Sequence, residues 1–112
     1  DGGAISAIDL GVTIPDNAII VGGFIEVITT CQSSDDSGTM AIKVEGANDI
    51  VTATAISAAG NIWDAGIHDI IPDSTGSTAV KTTAARNVTA TIAVDAFTAG
   101  KFNVWLEYVI GE

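Results

Sequence analysis

A chain of 112 residues suits one domain, residues 1–112, that buries roughly 65% of its unfolded surface and folds without a disulfide or a metal. Its 14 acidic side chains face only 4 basic ones, and the net charge of −10 repels phosphate and anionic lipid, which excludes nucleic acid and the membrane surface as main partners. With 16 Ile, 10 Val and 13 Thr against 2 Leu, the apolar bulk comes from side chains that are stiff at χ1 and fit a pleated surface, so the expected fold is all-β.

The first strand is expected over Ala4 to Leu10, with Ile5, Ala7 and Asp9 on one face and Ser6, Ile8 and Leu10 on the other. Pro15-Asp16-Asn17 marks a turn. The second strand, Ala18 to Thr30, is long enough to bend at Gly22-Gly23, where missing side chains permit a bulge or a corner. After a polar loop at 33–38 comes a third strand, Thr39 to Glu45, with Met40, Ile42 and Val44 pointing in. A turn at 45–49 leads into Asp49 to Ser57, whose alanines suit a strand or a short helix equally. Asn61 to Ile71 is apolar but irregular, 72–78 is a loop, and Thr78 to Thr83 is a short strand.

Alternation resumes over Asn87 to Val94, with Val88, Ala90, Ile92 and Val94 inward. The last segment, AFTAGKFNVWLEYV at 96–109, reads as a turn at Gly100 followed by a strand. That strand sets Phe102, Val104, Leu106 and Tyr108 on one face against Lys101, Asn103, Trp105 and Glu107 on the other. About eight strands with frequent turns predict an antiparallel two-sheet β-sandwich, jelly-roll-like in style, or a small barrel. Both prolines lie in Ile-Pro-Asp tripeptides, at 14–16 and 71–73, an echo too loose to count as a repeat.

Residues able to do chemistry are few. His68 is the only histidine; Asp64 and Asp69 flank it, but no nucleophile signature surrounds any serine or Cys31, so His68 is expected to be structural and the chain not an enzyme. Cys31 suits a small buried hydrophobe. One Cys and one His do not fill a zinc site, and SSDDSG lacks the calcium-loop pattern, so Asp35 and Asp36 read as a solvated loop tip and no metal is expected. Gly22-Gly23 lies within a strand rather than before a helix, so no phosphate loop is present and no cofactor is expected. The sequon Asn87-Val88-Thr89 falls inside a strand and reads as coincidence. The longest apolar run, Ala18 to Ile25, is far too short to span a bilayer as a helix, and no signal peptide is visible.

What remains is surface. Trp105 is placed by alternation among polar neighbours, where either its strand is buried on both faces or a loop covers the ring, or else it anchors a protein contact; Phe24 and Ile28 share a face with Glu26 in the same way. Trp63, the other large indole, is the fourth candidate interface residue. Only 16% of residues are charged, which points to a surface partly covered by other chains and hence to a homo-oligomer or larger assembly.

The segments GVTIPDNAIIVGGFIEVIT, MAIKVEGANDIVTATAIS and VTATIAVDAFTAGKFNVWLEYV resemble small virion structural proteins of tailed bacteriophages, cyanophages included, over about Ile8 to Ile110. The resemblance implies a jelly-roll or related β-sandwich that decorates or cements the outer capsid surface of the virion. It also implies the major capsid protein as partner and a homotrimer at junctions between hexamers. A head-fibre or tail position is the alternative placement. No catalytic or cofactor residue carries over. A second class of function is a carbohydrate-binding module, with Trp105 beside Asn103, or Trp63 beside Asn61 and Asp64, as the stacking platform.

Overall fold

The computed structural model describes residues 3–57 and 59–111. Eight strands follow one another in the chain, with no helix among the described residues: β1 (Ala7–Ile14), β2 (Ala18–Ser33), β3 (Thr39–Lys43), β4 (Val51–Ala55), β5 (Gly66–Asp69), β6 (Val80–Lys81), β7 (Arg86–Ala93) and β8 (Phe97–Ile110). One sheet has the order β1-β7-β3-β4; the other is built on β2, with β8 along one side and β5 and β6 on the other. Every pairing is antiparallel. The β-sandwich expected from composition and alternation is therefore present.

Pro15-Asp16-Asn17 carries the chain from β1 in one sheet to β2 in the other, with Asn17 at a φ of 59°, a left-handed position that Asn tolerates. The last crossing, from β7 to β8, runs in the same sense as the first, and the first strand pairs with the seventh and the second with the eighth. Between the sheets lie Ile14, Ile20, Ile25, Ile42, Val88 and Ile92, the inward halves of alternating strands, with Ile50 from the bend just ahead of β4.

Several boundaries differ from those expected. β1 continues to Ile14 instead of stopping near Leu10, because Gly11 forms a bulge in which its N–H donates to Asp9 Oδ1 at 2.8 Å and the pairing with β7 resumes at Thr13. The middle of the ambiguous 49–57 segment, Val51–Ala55, is the strand β4, held by its pairing with β3, so a tertiary partner decides what alanine-rich propensity leaves open. Val94 does not point into the core: it is exposed at a left-handed φ of 71° where the chain leaves β7. Gly100 is not a turn. It lies within β8 at a φ of 143°, and a side chain there would place its Cβ 2.8 Å from Cys31 Sγ.

The bend in β2 falls where the glycines placed it. Ile20 sits opposite Tyr108 but Gly22 sits opposite Glu107, so β2 uses one residue more than β8 between these positions. The extra residue switches the buried set from Ala18 and Ile20 to Ile25 and Val27. Both long strands thereby keep an apolar inner face along a molecule 46 Å in its longest dimension.

Candidate interaction surface

The register of the second sheet fixes what its outer face displays. Asp69 of β5, Phe24 of β2 and Trp105 of β8 form one cross-strand row, and Ile67, Glu26 and Asn103 form the next. The Phe24 and Trp105 rings stack with centroids 5.9 Å apart at 29°. Trp105 is 51% exposed, Phe24 40%, Ile28 48% and Ile67 68%, so four large apolar side chains share a face that nothing in the chain covers among the described residues. Among the described residues Trp105 is neither buried on both faces of its strand nor covered by a loop.

Trp63 must be reassigned. Its indole is fully buried, tilted against Phe102 at a centroid distance of 5.4 Å, in the turn region ahead of β5. Its backbone is fixed as well: Cys31 N–H donates to the Trp63 carbonyl at 3.0 Å, and Trp63 N–H donates to Asn61 Oδ1 at 2.6 Å. Trp63 therefore belongs to the core and presents no ring to a partner or a sugar. The physical reason is that the short β5 leaves one end of the sandwich uncovered, and the indole fills it. Ile67, by contrast, escaped the sequence reading because its segment has no regular alternation; only the pairing of β5 with β2 sets its side chain outward.

The groups that sequence patterns single out for chemistry are occupied structurally. His68 Nε2 donates to the Asp64 carbonyl at 2.7 Å, while the Asp64 carboxylate accepts from Gly60 N–H at 2.8 Å and does not engage the ring. Cys31 is buried; desolvation, aided by the nearby Asp64 charge, pushes its thiol up to about 11, so it stays protonated. Asn87 donates to Asp9 Oδ2 at 2.7 Å and accepts from the Thr13 hydroxyl at 2.8 Å, tying β7 to β1.

The exposed Asp35-Asp36 loop is held by Asp95, whose carboxylate accepts from Asp35 N–H and the Ser34 hydroxyl, each at 2.8 Å. Those bonds hold Asp95 well below the usual carboxylate range, the Asp35 N–H foremost. Among the described residues no group of three or more His, Cys, Asp or Glu is placed to hold a metal ion.

A second apolar feature lies where the sandwich is open. The inward face of β8 and the bulged edge strand β1 leave between them a groove of about 750 Å³, lined by Leu10, Val12 and Val88 on one wall and Val104, Leu106 and Tyr108 on the other. Tyr108 points inward by register, as alternation predicts, yet is 40% exposed because β1 does not reach across to cover it.

Acidic groups outnumber basic ones on the outer face: Glu26 lies within it, Asp69 and Glu107 lie beside it, and Lys101 is the one cation on the same side of β8. The surface is therefore suited to an apolar partner patch bordered by basic groups. Compared with protein-family models, curated proteins and solved structures, the chain finds no significant match.

Proposed function

We propose that the protein is a structural component of a tailed-phage virion, a decoration or cement protein that binds the outer capsid surface and stabilises contacts between capsomers of the major capsid protein. The observation that carries this reading is the outer face formed by Phe24, Ile28, Ile67 and Trp105, an apolar surface on a continuous sheet rather than on mobile loops. A rigid sheet loses little conformational entropy on docking, and many copies on one shell turn modest contacts into durable attachment. The negative charge keeps such a protein off the packaged nucleic acid. The likeness to small virion proteins supplies the location as a further part of this proposal.

Co-sedimentation with capsids stripped of the protein tests it. Saturation at a whole-number ratio to the major capsid protein is the expected result, together with greater heat resistance of the shell. Trp105→Ala leaves the fold intact, since half the ring is in solvent, and weakens capsid binding by roughly 30-fold, as a central aromatic anchor does. Absence of saturable binding by the wild type sinks the capsid assignment and favours a tail or head-fibre position.

One observation favours a second reading, a carbohydrate-binding module: Asn103 shares the outer face with the stacked Trp105 and Phe24. Trp63 with Asn61 and Asp64 offers no such platform, because that indole is buried. A glycan array without binders removes this alternative.

A further inference from the structure

The free edge of β8 is the longest unpaired edge in the sandwich. Residues Phe24 to Val27 of β2 pair with β5 and β8 at once, so β8 must lie on the opposite side from β5; β2 is the one strand it pairs with among the described residues, and at its start the Phe97 N–H donates to the Gly3 carbonyl at 2.7 Å, ahead of the stretch Ala99–Ile110. The remaining edges are shorter or interrupted: β4 has 5 residues, β5 has 4, and β1 is broken by the Gly11 bulge, whose N–H is taken by Asp9. Such devices keep edges from pairing with other chains. Over Ala99–Ile110 β8 has neither a proline nor a bulge of its own: in every register shift along this stretch the extra residue falls on β2, leaving β8 itself regular, and its two charges, Lys101 and Glu107, are opposite in sign.

We propose that this edge pairs antiparallel with the same edge of a second copy, about a two-fold axis through Val104. Residues directly opposite each other must face the same side of a sheet, so the axis passes through a residue and not between two. Lys101 and Glu107 are the only charged side chains of β8. With Val104 on the axis, each Lys101 stands opposite Glu107 of the second copy, twice by symmetry, while Phe102 meets Leu106 and Asn103 meets Trp105. Moving the axis to Asn103 puts Lys101 opposite Trp105 and Glu107 opposite Ala99. Moving it to Trp105 puts Lys101 opposite Val109 and Glu107 opposite Asn103. Only the Val104 register satisfies both charges.

This pairing makes the sheet continuous across both copies. The two Trp105 rings become diagonal neighbours on its outer face, so the apolar patches of the two chains merge into one. On the inner side the pairing places the half-buried Phe102, Val104 and Leu106 beside their counterparts and extends the apolar groove. The contact is isologous and closes after two copies, whereas the virion-protein likeness implies three.

Light scattering during size exclusion, over a concentration series and without capsids, tests the pairing independently of the virion reading. The wild type is expected as a dimer. K101E and E107K each set like charges opposite one another twice, raising the dissociation constant about ten-fold, and the double variant K101E/E107K restores wild-type dimerisation. Both side chains are exposed, so circular dichroism of all three variants is expected to match the wild type. A monomeric or trimeric wild type, or a double variant that dimerises no better than the single ones, overturns the proposal.

Discussion

Thr82 is the one polar residue in the fully buried set of described residues, and its hydroxyl joins the corner that links the two sheets. It donates to the Pro15 carbonyl at 2.7 Å and accepts from Ala18 N–H at 3.0 Å, supplying bonds that the turn between β1 and β2 does not make itself. Thr82→Val keeps the shape but leaves a buried donor and acceptor unpaired, and is expected to cost about 2 kcal/mol in urea unfolding. A smaller change indicates that the corner relaxes to reach water.

Glu45 performs a similar task at the surface. Its carboxylate accepts from Arg86 Nε at 2.8 Å and from the Thr83 hydroxyl at 2.7 Å, joining the turn after β3 to the start of β7. Those bonds, the one from Arg86 foremost, lower its pKa from 4.5 to about 2. A depressed carboxylate pKa adds stability above the unfolded value, and that contribution disappears as pH falls from about 4.5 to about 2. Glu45→Gln should therefore lower Tm at pH 7 and converge with the wild type at the acid end of this window. A difference in Tm that does not change with pH contradicts that role.

At the scale of elements, the pairing of β2 with β8 determines most of the architecture. Gly23 makes it possible: at a φ of 150°, a Cβ on this residue would lie 1.9 Å from the Trp105 carbonyl oxygen. Gly23→Ala forces the two strands apart beside the stacked Phe24 and Trp105 and is expected to destabilise the fold by about 3 kcal/mol, read from denaturant midpoints. Loss of Phe24–Trp105 stacking, seen in near-ultraviolet circular dichroism, should accompany it. The need for glycine was legible in the sequence as a pair of residues interrupting an apolar strand. The identity of the atom that excludes a side chain was not, because Trp105 is 82 residues away in the chain.

At the scale of the whole molecule, one sheet ends in a short strand and a bulged one, while the other ends in a long regular edge and carries an apolar outer face. β4, β5 and β6 are short, so β2 and β8 extend beyond their partners and expose apolar side chains along the 46 Å axis. With only 16% of residues charged, the few charged groups there, Glu26, Lys101 and Glu107, leave most of that surface apolar. Covering it by association is the physical outcome that both the capsid proposal and the β8 pairing describe, on different surfaces and with different partners.

Composition and period-two alternation by themselves determined the all-β class, most strand positions and the outward direction of Trp105, Phe24 and Ile28. Side-chain direction in a strand depends only on counting by two, so local order is enough. The fate of Trp63 and Ile67 was decided only by tertiary structure. Both lie in a segment without alternation, and the space left at one end of the core, together with four residues of pairing between β5 and β2, sends one inward and the other out. Strand order was decided there too, because an isolated strand carries no mark of its partner; which edge of β8 stays free depends on contacts between residues far apart in the chain.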